Sequence, residues 1–256
     1  MKRTLAITLL VASLLVMSLP SAFAGAPPQR GSRVVPLGLA FHQGKLVEGY
    51  AFVHGYVKPP KPERPSKSDP LYTFLARGAK WRTTEPYVVN PSNGDGASPS
   101  LVMIAMETAA ATWEAQVTTD VFGPGWTTSD ALVADWVAPD GVNEAYFSDT
   151  ELDAGTVAVT IIWGVFSGPP QARELIEWDM IFNDALSEPW GDATVTSGAW
   201  DVENIATHEL GHSAGLGDLY TVSAAEQTMY GYASPGETKK RTLESGDIAG
   251  IQELYQ

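Results

Sequence analysis

The sequence predicts a mixed α/β domain around a twisted sheet, and three observations carry that expectation. One helix-patterned segment is followed by several strand-like segments, and two further helix patterns close the chain. Helices and strands in that order suit helices packed on a sheet. The 256 residues are 44% hydrophobic and 18% charged, enough apolar material to bury a sizeable core. No internal repeat interrupts the pattern.

Residues 1–24 read as a secretory signal. Lys2 and Arg3 form a basic start, Leu5 to Leu19 is an uncharged apolar run, and Ala22-Phe23-Ala24 is a small-x-small cleavage signal. The mature chain is then expected to start at Gly25. An uncleaved anchor is the alternative, but the run is shorter than the ~20 residues that span a bilayer. Residues 25–70 form an N-terminal segment of mixed character. Within it, Leu46 to Tyr56 reads as a strand or hairpin rich in aromatic and branched residues. Lys58 to Pro70 holds five prolines and several charges, the composition of an extended linker. The main domain is expected from residue 71 to 256.

In that domain, Pro86 to Asn90 reads as a strand stopped by Pro91. Leu101, Ile104, Ala105, Ala109, Trp113 and Val117 recur at helical spacing, with Ser98 or Ser100 as the cap. Ala145 to Phe147, Thr156 to Trp163 and Ile176 to Phe182 read as strands, the second apolar enough to be buried on both faces. Asp201 caps the next helix, where Val202, Ile205, Ala206 and Leu210 form a core-facing stripe. Gly215 ends it in a left-handed turn. Ser245 to Tyr255 is the last helix, with Ile248, Ile251, Leu254 and Tyr255 on its buried side.

The net charge is −14, from 16 basic and 30 acidic residues, which argues against nucleic-acid or anionic-membrane surfaces. The absence of cysteine excludes thiol nucleophiles, zinc–thiolate sites and disulfides.

His208-Glu209-Leu210-Gly211-His212 is an H-E-x-x-H sequence on an expected helix. Residues four apart share a helix face, so both imidazoles can reach one Zn²⁺ at about 2.0–2.1 Å. Zn²⁺ lowers the pKa of a bound water towards ~7, and Glu209 stands next to it as general base. A third ligand is needed. Gly215, three residues beyond His212, lets the backbone reverse, and Asp218 follows three residues later. Asp218 is therefore the preferred third ligand, with Glu226, Glu237 and Glu244 as competitors. The four histidines are His42, His54, His208 and His212. If the catalytic part is self-contained, a carboxylate must complete the set. Without function, the motif would be a surface helix with two idle histidines.

These residues resemble a known group. His208 to Asp218 is similar to the extended metzincin motif H-E-x-x-H-x-x-G-x-x-H, with Asp in the last position as in snapalysin-like metzincins. Gln227-Thr228-Met229-Tyr230 resembles the Met-turn, which makes Met229 the methionine beneath the metal; read alone it is a core residue. Asp179 to Asn183 with Trp190, the approach Asp201 to Thr207, and Asp247 to Tyr255 are similar to matrixins. The resemblance covers about Trp81 to Tyr255, strongest from Asp179 onward. It implies a mixed five-stranded sheet with an active-site helix and a C-terminal helix. It also implies substrate paired along an edge strand, Thr156 to Trp163 being the candidate. The implied reaction is hydrolysis of internal peptide bonds by Zn-activated water.

Three departures stand out. Asp218 puts an anion where a neutral imidazole is usual, the cysteine switch of latent matrixins is impossible, and no histidine-rich second zinc site is present. The acidic loops leave room for Ca²⁺, with no EF-hand-like loop. Gly231 stands where an astacin-type tyrosine would follow the methionine, leaving Tyr230 and Tyr232 as candidate cleft-wall residues. The expected partners are protein or peptide substrates of a monomer, with no nucleic acid and no membrane after signal cleavage. The expected location is extracellular, matrix included. The competing reading is a non-catalytic exported binding protein with a structural zinc. Residues 25–70 are a propeptide, an attachment module or a spacer. As a propeptide they could block the zinc through His42, His54 or Asp69.

Overall fold

The structure, a computed structural model, describes residues 33–55 and 70–256. The expected signal segment, the Pro-rich stretch up to residue 69, and Asp69 lie outside the described residues. Among the described residues no helix is long and apolar enough to cross a membrane.

The fold is mixed α/β. Strands β1 (Arg33–His42) and β2 (Lys45–Gly55) form a hairpin. The main part contributes β3 (Glu85–Asn90), α1 (Pro99–Glu114), β4 (Phe122–Thr127), β5 (Asn143–Ser148), β6 (Thr156–Val165) and β7 (Glu174–Asn183). A short pair, β8 (Trp190–Gly191) and β9 (Trp200–Asp201), precedes α2 (Val202–Ser213), and α3 (Ser245–Tyr255) ends the chain.

The large sheet has seven strands in the order β1-β2-β6-β7-β5-β3-β4. The five-stranded expectation holds for β6-β7-β5-β3-β4 and is corrected by the hairpin, which adds two strands at the β6 side. The physical reason is the open edge that β6 would otherwise present: a row of unpaired N–H and C=O groups, which β2 satisfies antiparallel from Glu48 to Gly55. β6 is therefore an inner strand, not an edge. It pairs antiparallel with β7, while β7-β5, β5-β3 and β3-β4 are parallel.

Alternation along β6 explains its unbroken apolar sequence. Ala158 and Ile162 belong to the core under α1 and α2, whereas Val159, Ile161 and Trp163 fill a second core on the opposite face. The first core gathers Met106, Trp113, Trp178, Met180, Phe182, Leu210 and Ile251. Ser98 caps α1 by accepting from the Leu101 N–H at 3.2 Å, and Asp201 caps α2 by accepting from the Asn204 N–H at 2.8 Å. Arg241 clamps that same Asp201 carboxylate at 2.5 Å.

Two strands of the large sheet were not legible. β1 carries Pro36 and Gly38, where its register with β2 slips. In β4 the pattern is broken by Gly123 and Gly125. A Cβ at Gly123 would stand 2.6 Å from the Pro86 nitrogen, so glycine is what lets β4 approach β3.

Beyond the second core, Asp135, Glu177 and Asp179 bring carboxylate oxygens within 4.8 Å of one another. Burial, with the Asp135 hydrogen bond and the Asp179 charge, pushes Glu177 from 4.5 to about 10. The folded state therefore binds more protons than the unfolded chain between those values. This contribution to stability is complete below the unfolded pKa near 4.5 and is lost as pH rises towards about 10. Glu177→Gln should flatten the decline, so that urea midpoints at pH 5 and pH 8.5 lie closer together than in the native chain. An unchanged gap would contradict the assignment.

Candidate metal centre

α2 turns His208 and His212 to one face, and both are buried. His208 Nδ1–H donates to the Thr228 carbonyl at 2.6 Å, and His212 Nδ1–H donates to the Leu216 carbonyl at 2.9 Å. A carbonyl only accepts, so both Nδ1 atoms carry the proton and both Nε2 atoms offer lone pairs.

The chain reverses after α2 because Gly215 adopts φ +102°, with a Cβ there 2.8 Å from the Ala79 carbonyl oxygen. This returns Asp218 to the helix. Its Oδ1 lies 3.4 Å from His208 Nε2 and 3.6 Å from His212 Nε2, and Oδ2 accepts from the Tyr220 hydroxyl at 2.8 Å. The next residue is stitched to the Met229 strand-like turn: Leu219 N–H donates to the Met229 carbonyl and Gly231 N–H to the Leu219 carbonyl, both at 2.8 Å. A Cβ at Gly231 would fall 2.4 Å from the Tyr220 ring and 3.0 Å from Asp218 Oδ1. A side chain at 231 would displace the Tyr220 ring, whose hydroxyl holds Asp218 Oδ2.

Met229 lies beneath α2. A Cβ on Gly211 would stand 2.2 Å from its sulfur, so the helix backbone rests directly on the methionine. Asp247 on α3 pins this turn, accepting from the Thr228 N–H at 2.7 Å and the Met229 N–H at 3.1 Å. Tyr230 and Tyr232 are both buried, in edge contact at 5.2 Å.

Glu209 is fully buried. Thr160 of β6 donates to its Oε2 at 2.5 Å. Burial raises its pKa, but the His54 charge and hydrogen bond, with His208 and His212, more than reverse this and bring it to about 2. Burial lowers His208 to about 3, which keeps it neutral with a free lone pair. Burial likewise raises Asp218, and His54 and His212 drive it well below the usual range.

The third histidine of the site comes from the hairpin. His54 Nε2 lies 2.7 Å from His208 Nε2, 3.0 Å from Asp218 Oδ1 and 3.4 Å from His212 Nε2. Its Nδ1–H donates to Glu209 Oε1 at 2.7 Å. Burial lowers its pKa, and Glu209 and Asp218 together raise it to about 10. Phe52, two residues earlier, stacks on His212 at 3.9 Å.

Among the described residues, donor atoms of His54, His208, His212 and Asp218 lie within 4.8 Å of one another. The competing carboxylates Glu226, Glu237 and Glu244 are not in this group. Glu226 is exposed beside Lys239, and Glu244 caps α3. His42 stands apart, near the Pro139 carbonyl at 3.4 Å. The donor set fits zinc. Bonds of about 2.0–2.1 Å in a tetrahedron place donors about 3.3 Å apart; five of the six separations here run from 2.7 to 3.6 Å, and the sixth, His208 to His212, is within 4.8 Å. The Glu209 and Asp218 side chains, 0% and 2% exposed, face three imidazoles, and a cation at their centre would offset their charge.

Sequence reasoning named His54 only as one of three blocking candidates, placed Thr160 only within a strand and Asp247 only at the start of a matrixin-like helix, and gave neither a role at the site. A histidine flanked by apolar strand residues was the signal available. The contacts span 155 residues for His54 and 49 for Thr160, which no local spacing reveals.

This arrangement of helix, reversal, carboxylate and underlying methionine is the one that the resemblance to metzincins implies. Residues 167–256 match the matrixin family, peptidase M10, so this part of the chain is matrixin-like. The match spans β7 to α3 and does not include β1, β2 or His54. Metalloendoproteinase 4-MMP of Arabidopsis thaliana is 39% identical over 72 residues, 27% of this chain and 20% of that protein. Metalloendoproteinase 1 of Glycine max is 44% identical over 68 residues, 25% and 21% of the two chains. The chain thus spans about a fifth of the length of these curated relatives. Among solved structures, metalloproteinase-II from Bacteroides fragilis aligns over 90% of this chain and 78% of that chain, with 12% identity and a TM-score of 0.37.

Proposed function

We propose that the protein is a secreted zinc-dependent endopeptidase, with His208, His212 and Asp218 holding the metal and Glu209 acting as general base. The observation that carries this reading is a buried carboxylate, held by Thr160, set beside three convergent donors. When bound, zinc supplies Lewis acidity, polarising a substrate carbonyl and making water a nucleophile near neutral pH. Glu209 takes the proton of the attacking water and hands it to the leaving amine. Thr160 holds one oxygen of Glu209, so the carboxylate keeps a fixed aim. The Thr228 and Leu216 carbonyls fix the two imidazoles, and Asp247 holds the Thr228–Met229 turn rigid under them. The signal-like residues 1–24 support export, and the family supports protein substrates.

One observation favours a second reading, a structural zinc site: His54 supplies a fourth protein donor, as closed structural sites have. A buried Glu209 held by Thr160 is surplus to such a site. Chelation separates the two. Removing the metal should abolish cleavage of an unfolded protein substrate, and one equivalent of zinc should restore it. Cleavage that persists after complete zinc removal would overturn the peptidase reading.

A further inference from the structure

We infer that the β1–β2 hairpin is a latency segment, with β2 seated on the substrate strand and His54 shutting both the metal and the base. The inference rests on the peptidase reading above.

Three observations meet here. First, β2 pairs antiparallel with β6 through Ala51↔Ile161, Phe52↔Thr160 and His54↔Ala158. It thereby uses the backbone groups an added extended peptide would need. The partner of Phe52 in this register is Thr160, the residue that orients Glu209. While β2 is in place no other strand has access to β6.

Second, one imidazole performs two blocking tasks. Nδ1–H is committed to Glu209 Oε1 at 2.7 Å, and Nε2 stands among the donors of His208, His212 and Asp218, where on a bound zinc it would give up its proton and supply the lone pair. A catalytic zinc needs an open position; His54 fills it. A general base needs a free oxygen; Glu209 has one oxygen on Thr160 and the other on His54. Phe52 and His54 both stack on His212, at 3.9 Å and 5.1 Å.

Third, the connection suits release. β2 leaves the sheet at Gly55, and the 14 residues from 56 to 69 that follow carry prolines together with Lys58, Lys61, Arg64 and Lys67. Cleavage at such basic positions would free a hairpin joined to the main sheet through β2 alone. The chain has no cysteine, so histidine is the nitrogen-donor means of closing a zinc site from outside α2.

The test uses the full chain loaded with Co²⁺ in place of zinc, with acetohydroxamate as the probe of an open metal position. The native chain should keep its visible spectrum on titration, whereas His54→Ala should change colour in a saturable way. With zinc, His54→Ala should also cleave a quenched peptide at least about tenfold faster than the native chain, since turnover scales with the open fraction. His54→Cys should restore closure and add a cobalt–thiolate charge-transfer band, in a chain that otherwise has no thiol. Equal hydroxamate responses in the native chain and His54→Ala would overturn the inference, as would the absence of the thiolate band. If His54→Ala unfolds, the band and the reactivity of the thiol at position 54 decide the matter. Hydroxamate binding by His54→Ala with no peptide cleavage by any form would overturn the peptidase reading and leave closure by His54 standing.

Discussion

Replacing Glu209 with Gln should lower the turnover of peptide cleavage by about 10²–10⁴-fold, the usual contribution of a positioned acid–base group. Zinc content should stay at one equivalent. The two effects separate because Glu209 makes no donor contribution to the group formed by His54, His208, His212 and Asp218. Gln keeps the shape and can still accept from Thr160, which at present donates at 2.5 Å. What it loses is basicity. Glu209 is ionised far below neutral pH, held at about 2 against its burial by the surrounding imidazoles. A neutral amide takes no proton from water. The comparison belongs in both the native chain and the His54→Ala background, where the base is free. A variant that cleaves as fast as its parent would remove Glu209 from the mechanism. A variant that loses zinc would mean the carboxylate belongs to the metal and not to the proton.

The largest stability effect is expected at Trp113. This side chain is fully buried where α1 meets α2, and its indole N–H donates to the Thr207 carbonyl at 2.7 Å. It also lies against Gly211, where a Cβ would stand 2.7 Å from the ring. Trp113 thus sets the depth at which the motif helix sits, one residue before His208. Trp113→Ala should cost about 3–5 kcal/mol through lost burial and the cavity left behind. For a folded unit of this size that is a fall in Tm of roughly 6–20 °C. Trp113→Phe should recover most of it and expose the cost of the missing hydrogen bond, about 0.5–1.5 kcal/mol. Thermal melts at fixed zinc concentration measure both, since bound metal itself shifts Tm. A fall below 2 °C for the alanine variant would mean α1 does not support α2 as described.

The parts of the fold that were legible share one property: their determinants are local. α2 was readable because Asp201, the apolar stripe and Gly215 lie within one short run, and each does what its chemistry requires. α3 and β6 were readable for the same reason, β6 because both its faces are buried. Asp218 was inferred from the left-handed turn expected at Gly215, and its Oδ1 lies 3.4 Å and 3.6 Å from the two imidazoles. β4 was not readable, because its glycines serve the close approach of β3 and erase the strand pattern. The seventh-strand arrangement was not readable either. Nothing near Leu46–Tyr56 states which edge the hairpin will cover, and β6 lies about a hundred residues on. The same distance hid the double engagement of His54. Its role depends on a strand register, and register is fixed by the partner's buried pattern as much as by its own.

The central claim is a single zinc ion held by His208, His212 and Asp218. X-ray absorption at the zinc edge, on native chain loaded with one equivalent, tests it most directly when repeated on Asp218→Asn and His54→Ala. The account predicts a shell of nitrogen and oxygen donors at about 2.0–2.1 Å. It also predicts one imidazole fewer in His54→Ala and a longer or missing oxygen donor in Asp218→Asn. A native spectrum with fewer than two imidazoles, or one unmoved by the change at residue 218, would contradict it.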